Sequence, residues 1–167
     1  IFYKIDKFEQ ILINGVNIKI NPVEMIGIIV PSGSDITTLA RLISNILMPS
    51  KGHIRVDGAD LKNQDGEEIG QYIGYLPQDI ELFDGSVKDN IARMKEEAES
   101  KEIIKAAKFD NIHNLILKLP KGYETNAANL SGGQRQRIGL ARAFFKKQKF
   151  VVLNEPNSNL DSEGENA

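Results

Sequence analysis

The sequence predicts an α/β fold with a largely parallel sheet, and three observations carry that prediction. Met25, Ile26, Gly27, Ile28, Ile29 and Val30 form a short apolar run, the pattern of a strand buried on both faces. Glycine and serine follow it, and then Leu39, Leu42, Ile43, Ile46 and Leu47 recur at helical spacing. A second apolar run, Phe150–Leu153, comes after another helical stripe made by Ile138, Ala141, Phe144 and Phe145. Strands that alternate with helices lie side by side in a parallel sheet.

The remaining elements follow in order. Ile11 and Ile13, then Val16, Ile18 and Ile20, alternate around Asn14-Gly15, which reads as two strand segments joined by a turn. A helix is expected over residues 37–47. Residues 53–56 read as a short strand closed by Asp57-Gly58, and residues 72–76 as another. Residues 87–119 turn helical, with Ile103, Ile104 and Ala107 on one face, until Pro120-Lys121-Gly122 ends the pattern. The insert from about Gln78 to Lys121 is therefore expected to form a helical subdomain. Ser131 reads as a helix N-cap.

Bulk properties exclude several functions. Apolar residues make up 41% and charged residues 26% of 167 residues, enough for one domain with a hydrophobic core. The net charge of −2 argues against nucleic acid as a partner, because such binders carry a basic excess. Cysteine is absent, so there is no disulfide framework and no thiolate metal site. No run reaches the ~18 apolar residues that a membrane-spanning helix requires. The chain opens on Ile1 inside an apolar run and closes on the polar residues 161–167, so it reads as a piece of something longer.

Two segments carry chemistry. Leu130-Ser131-Gly132-Gly133-Gln134 joins a capping residue to two glycines at a helix start. Glycine lets backbone N–H groups approach a ligand closely, and a helix N-terminus offers unsatisfied donors and a partial positive charge to an anion. The same residues also make an ordinary capped helix. Phe150–Leu153 is followed by Asn154, Glu155 and Pro156. A buried strand that ends in polar residues presents them at its carboxyl edge, where open α/β sheets bind ligands. Glu155 there has the chemistry to hold and polarise a water, although a glutamate after a strand is also a common loop residue.

Together these segments resemble the ATP-binding cassette family, over nearly the whole chain and in the family's motif order. Residues 130–134 look like its signature sequence. Residues 150–156 look like its Walker B strand, and Ser158-Asn159-Leu160-Asp161 like its D-loop. Gln78, in Gly74-Tyr75-Leu76-Pro77-Gln78, looks like the Q-loop glutamine. Tyr3 stands near the place of the aromatic that stacks on adenine, although a tyrosine beside a strand is also simple packing. Residues 75–83, Asn90-Ile91-Ala92-Arg93 and residues 155–161 are similar to type I secretion ATPases.

The resemblance implies a P-loop NTPase-type α/β fold: a mostly parallel sheet, an antiparallel β segment at the N-terminus and an inserted helical subdomain. It implies a RecA-like core over about 1–78 and 135–167, and a helical subdomain over about 79–134. It further implies ATP and Mg²⁺ as cofactors. The implied partners are a second cassette, identical or different, and an exporter's transmembrane domain at the cytoplasmic face of the bacterial inner membrane. The cofactor-binding set is Tyr3, Ser32, Gly33, Ser34, Thr37, Thr38, Gln78, Ser131, Gly132, Gly133 and Gln134. Thr37, Gln78 and Asn154 are the metal-binding positions, and Glu155 is the catalytic base.

The sequence departs from the family where phosphate is held. The loop pattern is G-x-x-x-x-G-K-S/T, and the aligned residues are Val30, Pro31, Ser32, Gly33, Ser34, Asp35, Ile36 and Thr37. Only Thr37 matches a fixed position. Ile36 replaces the lysine, Asp35 adds a negative charge where glycine stands, and Val30 stiffens the entry. Asn154 takes the place of the metal-holding aspartate, keeping its shape without its charge. Residues 123–130 are a few residues short of the exporter pattern. The family's switch histidine falls after Ala167, and His53 and His113 read as surface or packing residues. ATP binding at the chain's own site is therefore expected to be weak.

Overall fold

A computed structural model describes residues 1–5, 10–31, 33–109, 111–146 and 148–156. They fall into two compact units, Ile1–Ile69 and Gly70–Ala167.

In the first unit, strand β1 (Tyr3–Ile5) pairs antiparallel with β2 (Gln10–Ile13), with Tyr3 opposite Ile13. This is the expected antiparallel start. Helix α1 (Ile36–Ile43) lays Leu39 and Leu42 against Ile13, with Tyr3, Ile36 and Ile54 packed around them. The helix ends before Leu47 because Asn45 turns left-handed (φ +60°) and the N–H groups of Ile46 and Leu47 both fold back onto the Arg41 carbonyl. Strands β3 (Arg55–Val56) and β4 (Ala59–Asp60) form a hairpin. Its turn, Asp57-Gly58, has φ of +51° and +83°, the doubly left-handed geometry that a two-residue hairpin needs. A one-turn helix, α2 (Gly66–Gly70), follows.

Two expected strands are not formed. Val16 exchanges backbone hydrogen bonds with Ile1 but residues 17–20 continue without strand pairing, and residues 25–30 are neither paired nor buried: Met25 is 96% and Ile29 97% exposed. An apolar run creates a demand for burial but supplies no pairing partner, and no described strand is bonded to this one.

The second unit holds the parallel pair. Strand β5 (Ile73–Leu76) lies beside β6 (Phe150–Leu153), in register from Ile73 opposite Phe150 to Leu76 opposite Leu153. The helical stretch is three helices: α3 (Val87–Ile91), α4 (Ser100–Lys108) and α5 (Ile112–Leu117). Left-handed residues at Arg93, Met94 and Asn111 break what the periodicity shows as one pattern. Val87, Ile91, Ile103, Ile112 and Ile116 from these helices bury against Ile138 and Phe145. Ile138 belongs to α6 (Gly132–Ala143).

Helix α3 begins with a closed capping box. The Ser86 hydroxyl oxygen accepts from the Asp89 N–H at 3.2 Å, and Asp89 Oδ2 accepts from the Ser86 N–H at 3.1 Å and from its hydroxyl at 2.6 Å. Hydrogen bonding by Ser86 holds the Asp89 carboxyl below its ordinary range. A carboxylate lowered on folding stabilises fully above the unfolded value of about 3.9 and loses that contribution as pH falls through the folded value. The unfolding free-energy gap between the parent chain and Asp89→Asn is thus expected to shrink as pH drops below about 4. Urea titrations across that range measure it, and a gap independent of pH would remove the box from the account.

Candidate functional site

Helix α6 presents the first half of the site. Ser131 is extended (φ −67°, ψ 167°); its hydroxyl accepts from the Gln134 N–H at 3.2 Å, and Gln134 Oε1 accepts from the Ser131 N–H at 2.9 Å. Gln134, expected to touch a ligand, therefore turns its carbonyl oxygen back into the cap. A side chain at Gly132 would meet nothing within 4 Å, so this helix start is open. The first N–H groups of a helix have no intrahelical partner and face outward with the positive end of the dipole. Arg135 donates to the Leu130 carbonyl at 2.7 Å and braces the entry.

The second half lies at the carboxyl end of β6. The Asn154 N–H donates to the Leu76 carbonyl at 3.0 Å, and Asn154 is buried. Glu155 follows in a left-handed conformation (φ +49°), exposed. Gln78 Nε2 donates to Glu155 Oε2 at 2.9 Å. Two residues 77 positions apart, singled out separately in the sequence, thus meet through one hydrogen bond. β5 and β6 run parallel and in register, so Gln78 and Glu155, two residues past their respective strands, emerge at the same edge.

Gln136 and Arg142 carry no motif signal of their own, and Arg93 closes the Asn90-Ile91-Ala92-Arg93 segment of the resemblance. Gln136 Nε2 donates to the Pro156 carbonyl at 3.0 Å. Arg93, mostly buried, donates to the carbonyls of Gly70 at 2.6 Å and Arg142 at 3.2 Å, capping the C-terminal end of α6. Arg142 in turn donates to the Glu81 carbonyl at 3.0 Å. Burial pushes both guanidinium groups below their ordinary value, with the Arg142 charge adding to the effect on Arg93. The sequence hint for Gln136 is its alignment with Gly139 and Ala143, at i+3 and i+7 on the buried face.

The phosphate-loop positions lie in the first unit. Ser32 falls outside the described residues, as do Ser158, Asn159, Leu160 and Asp161. Gly33 is left-handed (φ +82°). The Ser34 N–H donates to the Pro31 carbonyl at 3.1 Å and the Ile36 N–H to the Ser34 carbonyl at 2.8 Å, so both donors are used within the loop. Asp35 is the N-cap residue of α1 and makes no side-chain cap bond. Thr37 and Thr38 sit half-buried in the first turn. Residues 30–38 contain no cation. The start of α1 thus carries a carboxylate, two N–H groups spent within the loop and no lysine, whereas the start of α6 carries a closed cap and two glycines. Tyr3 packs half-buried against the small core of Ile13, Leu39 and Leu42.

For the metal positions, Thr37 belongs to the first unit and Gln78 and Asn154 to the second. Among the described residues there is no cluster of three histidine or acidic side chains that would hold a metal unaided. His53 pairs with Asp60 on the hairpin, and His113 bonds the Tyr123 hydroxyl at 2.9 Å, which accounts for both histidines. No helix among the described residues is long and apolar enough to cross a membrane.

Comparison with known proteins gives this geometry its context. The family model described as ABC transporter matches residues 13–158. The chain is 45% identical over 163 residues to the type I secretion system ATP-binding protein PrsD of Rhizobium meliloti, covering 95% of this chain and 28% of that protein. It is 38% identical over 157 residues to the cyclolysin secretion/processing ATP-binding protein CyaB of Bordetella pertussis, covering 92% and 22% respectively. Its fold matches that of a bacterial Atm1-family ABC exporter solved with ATP bound, at a TM-score of 0.71 and 34% identity, over 81% of this chain and 25% of that one. The chain thus spans under a third of the length of these curated relatives. A signature helix with its cap closed, a glutamine–glutamate pair at one sheet edge and a family match over residues 13–158 agree: the chain belongs to the ABC transporter family.

Proposed function

We propose that the chain is the ATP-binding cassette of a bacterial polypeptide exporter, with its own phosphate loop impaired and its signature helix serving the site of a second cassette. The observation that carries this reading is the contrast between two helix starts. Ser131 is built to face an anion, while Asp35 places a carboxylate at the corresponding end of α1. The names of PrsD and CyaB, both secretion ATP-binding proteins, support the export role. In this reading the chain works as a dimer at the cytoplasmic face of the inner membrane, attached to a transmembrane domain. Residues of about 79–134 form its helical subdomain.

The roles divide by residue. Ser131 fixes the helix start so that the N–H groups of Gly132 and Gly133 meet the phosphates held by the partner cassette. Glu155 accepts a proton from a water once its carboxylate leaves Gln78. Thr37, Gln78 and Asn154 are the positions that would hold Mg²⁺, and Ser32, Gly33, Ser34 and Thr38 those that would touch phosphate. Bound ATP supplies the phosphoryl group whose transfer to water drives transport.

Mixing the chain with an intact cassette tests the reading. Ser131→Arg fills the anion-facing helix start, and ATP turnover in the mixture is expected to fall to about a tenth or less, in the range seen when oriented donors are lost. An unchanged rate would eliminate the half-site role. A second reading, a silent interaction module that meets no nucleotide, is favoured by Asp35 and Ile36 alone. Titration of the chain alone with millimolar Mg-ATP and turnover in the mixture separate the two: no binding by the chain itself, together with a mixed rate no higher than that of the intact cassette alone, supports the module.

A further inference from the structure

Gln136 is 1% exposed, on a helix face otherwise built of small residues such as Gly139 and Ala143. A primary amide is unfavourable in such a place unless its hydrogen bonds are made. Its Oε1 has no hydrogen-bond partner, and only its NH₂ is used, toward the Pro156 carbonyl at 3.0 Å. A leucine would fill nearly the same volume with no polar atom to satisfy. The donor is therefore what this position retains.

The bond lands beside a conformation that needs holding. Glu155 sits at φ +49°, a region that residues with a side chain seldom occupy and that persists only when the surroundings enforce it. The chain is fixed on one side by the Asn154 N–H on the Leu76 carbonyl, and on the other by Gln136 on the Pro156 carbonyl. Between these two anchors the Glu155 carboxylate reaches Gln78 Nε2.

We propose that Gln136 is a positioning residue: it grips the Pro156 carbonyl, keeps Glu155 left-handed and holds its carboxylate against Gln78, tying the signature helix to the Glu155 turn of the same subunit. Helix α6 then carries two tasks five residues apart, presenting Ser131 outward and holding the turn inward. The importance of that turn rests on the reading of Glu155 as the base.

Residue-resolved amide hydrogen exchange on the full chain tests the proposal without nucleotide, so it can fail independently of the functional reading. In Gln136→Leu, the Asn154 amide, bonded to the Leu76 carbonyl, is expected to exchange about five- to tenfold faster, the effect of losing one net hydrogen bond locally. The amides of Ile103, Ala106 and Ala107 in α4 are expected to stay within about twofold of the parent, because α4 has no part in this turn. Gln136→Met, flexible enough to refill the site, provides a second variant if leucine fails to fold, and the same split is expected. Unchanged exchange at Asn154, or an equal rise at α4 showing general loosening, overturns the proposal.

Discussion

Restoring the loop with Val30→Gly, Asp35→Gly, Ile36→Lys and Asn154→Asp together is expected to tighten Mg-ATP binding about a thousandfold. Charge dominates the argument. One unit-charge contact at ~4 Å is worth about 4 kcal/mol at an effective dielectric of ~20. The parent loop lacks one attraction, at Ile36, and adds one repulsion, at Asp35. Geometry discounts both, since these positions are exposed or half-buried and surrounded by water. A net gain of about 4 kcal/mol still corresponds to about three decades in affinity. Val30→Gly frees the loop entry, and Asn154→Asp adds charge for Mg²⁺ at the end of β6. Calorimetric titration of parent and restored chains measures the difference. An equal dissociation constant would mean that residues 30–37 are not the phosphate loop.

Asp35 also shows why the gain should exceed a simple lysine replacement. A carboxylate at a helix N-terminus is favourable for the helix itself, because it meets the positive end of the dipole. The same carboxylate competes with any phosphate for that place. Ile36→Lys alone would set an ammonium beside Asp35, where the two charges satisfy each other. Only the combination clears the helix start and supplies a cation that has no closer partner.

What the sequence reveals is local, and what it conceals is long-range. The cap at Ser131 is legible because serine, two glycines and Gln134 form it within four positions. β6 is legible because Phe150–Leu153 is apolar throughout and ends in polar residues. The run at 25–30 has the same pattern and forms no strand, because a strand requires a second backbone beside it and the pattern contains none. Gln78 and Glu155 are each recognisable from the family resemblance, yet their hydrogen bond depends on the parallel register of β5 and β6. Gln136 and Arg93 bind backbone carbonyls, which every residue possesses, so no residue type at the far end betrays the contact. The shortened α1 is a related case: Asn45 stops it, although the apolar stripe continues to Leu47.

Gly74→Ala is expected to destabilise the chain by about 3 kcal/mol or more, the upper end of what overpacking costs. Gly74 lies in the middle of β5, where a Cβ would come within 2.1 Å of the Ala143 carbonyl oxygen and 3.3 Å of Gln148 Cγ. The nearer obstacle is backbone at the end of α6, which cannot rotate away. Either β5 or α6 must shift. β5 is bonded along its length to β6, while α6 is held at its C-terminal end by Arg93. Gly139 gives the graded comparison. A Cβ there meets Ile80 Cγ2 at 3.0 Å and Leu76 Cδ1 at 3.2 Å, ends of flexible side chains that can adjust, so Gly139→Ala should cost about 1 kcal/mol. Gly132→Ala meets nothing and should be close to neutral for stability, within about 0.5 kcal/mol. The ordering Gly74, Gly139, Gly132 in urea unfolding therefore measures how closely α6 lies on β5. If Gly74→Ala proved as mild as Gly132→Ala, the helix would be farther from the strand than 2.1 Å allows. The tie between the signature end of α6 and the Gln78–Glu155 edge would then lose its rigid support.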